Sequence, residues 1–344
     1  MSQAGESLNK GIRTGETRTT TSHCLVTLVF LLALPSVARP QEASTSELRP
    51  VEPYKISVNV SSVVLHATVE NHKGAPVSGL GKEDFQVYED GALQQIEYYS
   101  HEDIPVTVGL VLDNSGSMAP KRTEVIAAAL AFARSSNPQD QMFVVNFNEH
   151  VTFGLPADMP FTDQTWQLQA ALSKFKTTGE TALYDALAAA IEHLKKGNRD
   201  KKVLIVVSDG GDNASKYNLS QIVEMAEKSD AIIYTIGIYT EDDPDQKPEA
   251  LQKLSKATGG EAFFPQSVAD VVPLCERIAH DIREQYTLAY SPANRKQDGA
   301  YRVIQVKATA SGQGRLSVRT RAGYYAPSNP QPLTPTAGSQ SNRP

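Results

Sequence analysis

Asp113, Ser115 and Ser117 stand at alternate positions where the apolar run Val106 to Leu112 ends. One carboxylate and two hydroxyls, spaced in this way where a buried strand gives way to a loop, can converge on one small, hard cation without a thiolate or imidazole. Alone, such a pentapeptide is a weak signal, because Asp, Ser and Gly are ordinary turn residues. Two further segments strengthen it. Thr178-Gly179-Glu180-Thr181-Ala182-Leu183 puts a hydroxyl in a loop that opens a helix, and Val203 to Ser208 delivers Asp209-Gly210-Gly211 to the carboxyl end of a strand. Three loops then offer two carboxylates, Asp113 and Asp209, and three hydroxyls, Ser115, Ser117 and Thr181. Asp212 and Asn213 extend the third loop. They either support the site from behind or simply make a turn and cap the next helix.

The elements that must position these loops follow from hydrophobic periodicity. Val106 to Asp113 is a continuous apolar strand, and Lys121 to Ser135 has Val125, Ile126, Ala129 and Phe132 on one helical side. Met142 to Phe147, Lys202 to Ser208, Ala231 to Ile238 and Glu261 to Phe264 read as further strands. Helices are predicted at 165–175, 181–196, about 218–229, 247–257 and 267–284; Leu183, Leu187, Ile191 and Leu194 of the second keep the helical period. Apolar strands alternating with helices imply an α/β fold, a Rossmann-like, mostly parallel sheet with helices on both faces. Ligands of such sheets lie at the carboxyl ends of the strands.

Both flanks are β. Residues 54–103 hold the alternating Ile56, Val58 and Val60, the run Val63 to Val69, and a predicted hairpin of Phe85 to Tyr88 and Ile96 to Tyr99 about Glu89-Asp90-Gly91. Residues 285–325 hold strand-like Tyr286 to Tyr290, Tyr301 to Ala308 and Leu316 to Arg321. Neither portion is large enough to fold alone. One β-sandwich built from both, with an α/β domain at 104–284 inserted, resolves this. A linker is expected at 39–53 and a disordered tail at 326–344, rich in Pro, Ser, Thr and Gln.

The 344 residues carry 33 basic and 39 acidic side chains and are 40% hydrophobic, the composition of a globular protein. Residues 1–38 have the pattern of a secretory signal peptide: a polar segment with Lys10, Arg13 and Arg18, the apolar Cys24 to Leu34, then Ser36-Val37-Ala38. The alternative is an uncleaved N-terminal membrane anchor. Cleavage removes three basic and two acidic residues, taking the net charge from −6 to −7. Nucleic acid is thereby disfavoured as a partner. Cys24 leaves with the signal, so Cys275 is alone and no internal disulfide forms. The protein is expected to be exported, whether periplasmic, at the cell surface or extracellular.

The set Asp113-x-Ser115-x-Ser117, Thr181 and Asp209, in this order and context, resembles the von Willebrand factor type A domain with its metal-ion-dependent adhesion site. The resemblance covers about Val106 to Arg283. Gly79-Leu80-x-x-Glu83-Asp84-Phe85, Tyr88-Glu89-Asp90-Gly91, Val318-Arg319 and Gly323-Tyr324-Tyr325 are further similar to the flanks of a bacterial family of secreted proteins related to that domain. It implies that Ser115 and Ser117 bind the cation through their hydroxyls, that Thr181 binds in the ligand-competent state, and that Asp113 and Asp209 act directly or through water. Mg²⁺ suits such a site, with Mn²⁺ and Ca²⁺ as alternatives. Neutral hydroxyls leave the ion's charge partly uncompensated, so an acidic side chain of a protein partner can complete its shell. Met118-Ala119-Pro120-Lys121 lacks the acidic pair that makes an adjacent second metal site in integrins.

The expected function is therefore a non-enzymatic, metal-dependent protein-binding or adhesion module with no small-molecule cofactor. The alternatives are an envelope structural or assembly protein working through its sandwich, and a regulatory subunit of an enzyme. A hydrolase using Ser115 or Ser117 with His101 or His150 is disfavoured, because no Gly-x-Ser-x-Gly elbow surrounds either serine. Cys275 reads as a buried apolar filler and His193 as a solvated helix residue. Tyr286, Tyr290, Tyr301, Tyr324 and Tyr325 read as sandwich packing, with a glycan-binding platform as the alternative.

Overall fold

The computed structural model describes residues 62–174, 176–239 and 246–328. The signal segment, the linker, the Ile56-Val58-Val60 strand and the tail beyond residue 328 lie outside them.

A six-stranded sheet forms the centre, in the order Ala262–Phe263, Ile232–Gly237, Lys201–Ser208, Val106–Asp113, Gln141–Phe147 and Val151–Phe153. All neighbours are parallel except the last pair. All eight residues of Val106–Asp113 are buried, which is why this strand reads as an unbroken apolar run. Gly109 lies at its middle because a Cβ there would come within 2.6 Å of the Leu204 side chain. Helix Leu183–Leu194 buries Leu183, Leu187, Ile191 and Leu194 against the sheet, as its period predicts. The first helix begins one residue later than its pattern, at Arg122, because Gly116–Lys121 is a 3₁₀ turn containing Pro120. The Val151–Phe153 edge strand was not visible in the sequence; three residues carry too little period.

Two antiparallel four-stranded sheets enclose the second core. One has the order Ser317–Arg319, Val63–Glu70, Tyr286–Tyr290, Ile96–Ser100, and the other Gly323–Tyr325, Tyr301–Ala308, Phe85–Glu89, Ala92–Gln94. Leu65, Val87, Leu288 and Val306 meet between them in one cluster. The sandwich thus draws strands from both sides of the inserted domain. The predicted hairpin is corrected: Phe85–Glu89 pairs with Ala92–Gln94 through a two-residue turn, whereas Ile96–Ser100 crosses to the other sheet and pairs with Tyr286–Tyr290. Asp90 (φ 49°) and Gly91 (φ 82°) are both left-handed, the geometry a tight hairpin turn needs.

The two connections into the inserted domain run side by side. Thr287 pairs with Ser100, the His101 ring nitrogen Nε2 lies 3.1 Å from the Glu284 carbonyl, and Arg283 pairs with Asp103 at 2.7 Å. Arg319 lies at the same junction, with its Nη2 2.9 Å from Glu261, 3.4 Å from Glu70 and 3.6 Å from Asp281. Among the described residues no helix is long and apolar enough to cross a membrane.

Candidate metal centre

Asp113 closes the central strand and is nearly fully buried. Its Oδ1 accepts from the Ser115 backbone N–H at 2.8 Å, turning the chain sharply, and its Oδ2 accepts from the Ser208 hydroxyl at 2.7 Å. The turn brings the Ser115 and Ser117 hydroxyl oxygens within 3.1 Å of one another. Ser117 in turn donates to Asp209 Oδ2 at 2.6 Å, and Asp209 Oδ1 accepts from the Gly211 N–H at 3.2 Å. Ser115 and Asp209 are buried, while Ser117 is exposed and opens the group to solvent. Gly210 takes φ 80°, and a Cβ there would press on the Lys247 carbonyl at 2.9 Å, so the third loop needs glycine at this turn.

The middle loop is strapped to both neighbours. Thr178 N–H donates to the Asn114 carbonyl at 2.8 Å and Gly116 N–H to the Gly179 carbonyl at 3.1 Å. Thr181 N–H donates to Asn213 Oδ1 at 2.8 Å, and Asn213 N–H returns a bond to the Thr181 carbonyl at 3.0 Å. Asp113, Ser115, Ser117 and Asp209 therefore form one hydrogen-bonded set, and Thr181 is held in the adjoining loop by its backbone. Asn213 braces Thr181 from the third loop. Asp212 does something else: its Oδ2 accepts from Tyr184 N–H at 3.0 Å and Ser215 hydroxyl at 2.6 Å, capping the preceding helix Leu183–Leu194 rather than the next one. The next helix is capped by Asn218.

Ser208 and Arg122 belong to the site's framework and were not singled out from the sequence. Arg122 donates to Asn114 Oδ1 and to the Leu172 carbonyl, and Asn114 Nδ2 donates to Asn146 Oδ1 at 3.0 Å. The signal for Ser208 was its position directly before Asp209 at a strand end.

Ionising the Asp113 carboxyl carries an electrostatic cost. Burial, and next the neighbouring Asp209, push the Asp113 carboxyl up to about 6 against the hydrogen bonds from Ser115 and Ser208. Among the described residues no lysine or arginine forms an ion pair with Asp113 or Asp209. The buried Lys121 does not serve, since its Nζ donates to the Ile238 carbonyl at 2.7 Å. The Tyr239 hydroxyl, buried without a hydrogen-bond partner among the described residues, has its pKa raised by burial and then by Asp209. Two acceptor-rich carboxylates beside two hydroxyls fit a hard divalent ion.

A second acidic group, Glu70, Glu261 and Asp281, has ligand atoms within 4.8 Å of one another. It is already served by Arg319, so its cation is a guanidinium. Of the other residues singled out by sequence, His101 stacks on Tyr286 in the sandwich, with centroids 4.1 Å apart, and His150 is exposed beside Glu149. His193 is corrected: it is half-buried among Phe143, Phe153 and Phe161 and its Nε2 lies 2.8 Å from the Pro160 carbonyl. Cys275 is buried and its thiol is pushed up to about 12. Tyr286 and Tyr290 are buried, and Tyr301 packs edge-on against Tyr325.

Residues 107–274 match the von Willebrand factor type A domain family. No curated protein sequence matches the chain. Similar solved structures include a von Willebrand factor type A protein from Catenulispora acidiphila, at 14% identity over 80% of this chain and 76% of that one, with a TM-score of 0.48. Two others at 14% identity are the conserved hypothetical protein BatB from Bacteroides thetaiotaomicron, covering 52% of this chain and 98% of that one (TM-score 0.43), and the vWF domain of the type V pili tip protein Mfa5 from Porphyromonas gingivalis, covering 52% and 95% (TM-score 0.44).

Proposed function

Because residues 107–274 are a von Willebrand factor type A domain, a module commonly used for protein interaction or adhesion, we propose that this chain is an exported bacterial protein that captures a protein partner through a divalent cation. The observation that carries this reading is the pair of buried carboxylates, Asp113 and Asp209, which have no basic partner among the described residues and stand beside the exposed Ser117 hydroxyl. Ser115 and Ser117, with Asp113 and Asp209 directly or through water, would hold Mg²⁺, Mn²⁺ or Ca²⁺. Thr181 would join when a partner binds. The ion supplies positive charge that the neutral hydroxyls only partly offset, and an acidic side chain of the partner completes its shell. Export rests on the pattern of residues 1–38, and mass spectrometry of the protein from its host should find a mature start near Arg39.

The test is capture of envelope proteins by the full chain with Mg²⁺ and with EDTA, repeated with Thr181→Ala. Retained folding with a roughly 5-fold to 150-fold loss of capture, the range of one lost polar contact, supports the reading. Capture that persists in EDTA and in the variant overturns it and transfers recognition to the sandwich. Turnover dependent on Ser115 would instead point to an enzyme.

A further inference from the structure

The strands that carry the metal loops at their carboxyl ends begin at the opposite end of the sheet. There, around Asp200 and Ile232, the inserted domain and the sandwich border a cavity of about 870 Å³. This is within the range of small-molecule sites, about 300–1,000 Å³. Val64, His66 and Arg302 line it from the sandwich.

Arg302 is the built part of this cavity. Its side chain is 3% exposed and pairs with Glu89 at 3.2 Å, while its terminal nitrogens also donate to the carbonyls of Asn294 and Lys296. Glu89 is fixed in turn by the hydroxyls of Tyr290 at 2.8 Å and Tyr324 at 3.1 Å. Arg302 also has a buried Nε–H with no acceptor among the described residues. Arg302 is thus a fixed wall whose charge Glu89 meets, and the open volume beside it is left for a ligand from outside the chain. The charge balance says which kind. Among the described residues five basic side chains line the cavity against three acidic ones, and two of the basic ones, Arg295 and Lys296, form no ion pair. The His66 ring is kept neutral at pH 7, since burial, then Lys201 and Arg321, hold it well below its ordinary range. It therefore offers hydrogen bonding without charge.

We propose that this cavity binds a small organic anion, a carboxylate on an apolar body, with the acid group toward Arg295 and Lys296 and the body against Val64 and Ile232. A guanidinium suits a planar carboxylate. The volume and the apolar part of the wall, which an inorganic anion would leave unfilled, require the body.

Titration of the full chain with 2-naphthoate, uncharged 2-naphthamide and inorganic phosphate, followed by ligand-observed NMR, tests this. The expected result is binding of naphthoate, with the amide and phosphate each at least about tenfold weaker, a difference of about 1.4 kcal/mol. Val64→Trp should fill the cavity and lower naphthoate affinity at least tenfold while the protein keeps a cooperative thermal melt. If that variant does not fold, Lys296→Glu decides, with an expected loss of threefold or more. The proposal is overturned if naphthoate does not bind the wild-type chain, if the amide binds equally well, or if the folded variant binds unchanged.

Discussion

Ser117 donates its hydroxyl proton to Asp209 across 2.6 Å, joining two strand-end loops 92 residues apart in the chain. The bond pre-assembles a hydroxyl and a carboxylate in metal-free protein. It also means that any ion binding there competes with a proton already shared between them. The candidate centre is thus organised without an ion, and the proposed metal binding should depend on pH.

Chelator-stripped protein should gain stability on adding Mg²⁺, Mn²⁺ or Ca²⁺. At a free concentration one hundred times Kd the gain is about 2.7 kcal/mol, read as a rise in Tm. Asp113→Ala should abolish the rise. A wild-type transition that no divalent ion moves, with no heat of binding by calorimetry, would dismiss the centre.

The Asp113 carboxyl titrates near 6 in the folded protein against an ordinary value of 3.8, so the folded state holds this proton more tightly than the unfolded chain. In metal-free protein its contribution is therefore fully present below about 3.8 and lost as pH rises through about 6, a change on the order of 3 kcal/mol. Metal affinity runs the other way: each pH unit below 6 should weaken it about tenfold, because the ion must displace the proton. Asp140, also pushed up to about 6 by burial, adds to the first slope but not the second. Calorimetric titration of Mn²⁺ between pH 5 and 7 separates them, and a flat affinity profile would remove Asp113 from the ligand set.

Asn213→Ala removes the side-chain acceptor of the Thr181 N–H. The expected loss of stability is about 1 kcal/mol by urea unfolding, the net worth of one hydrogen bond. Partner capture should fall by more than this, since Thr181 is placed by that bond. Equal losses in both measurements would show that Asn213 only stabilises the loop.

Arg319→Met leaves Glu70, Glu261 and Asp281 facing one another without their shared guanidinium. Stripping a charge from a largely buried network should destabilise the protein by about 3 kcal/mol at neutral pH. Burial is the largest cause raising Glu261 and Asp281, and Arg319 the largest one lowering them, so their pKa values should climb further in the variant. Their protonation would then relieve the defect, and the deficit should shrink as pH falls. A deficit independent of pH would contradict this.

The central sheet was legible because Val106–Asp113, Lys201–Ser208 and Ile232–Gly237 are buried on both faces, and such strands announce themselves as apolar runs. Knowing where those runs ended located Asp113 and Asp209. The sheet switch between Gln94 and Ile96 was not legible, because an Asp-Gly turn followed by an alternating segment has the same local pattern whichever sheet receives the second strand. Nor were the partners of Asp212 or Arg122, since each depends on a backbone group 28 or 50 residues away.

The adjacency of Ser100 and Thr287 gives the molecule a mechanical character. The inserted domain leaves and rejoins the sandwich through two neighbouring strands, so a pull between Ser62 and Ser328 runs through the sandwich and bypasses the loops at Asp113, Thr181 and Asp209. A load between a captured partner and the chain ends is different. It must cross the junction that His101 with Glu284, Arg283 with Asp103, Arg319 with Glu261 and Asp281, and Arg321 with Asp230 hold together, so these contacts share it.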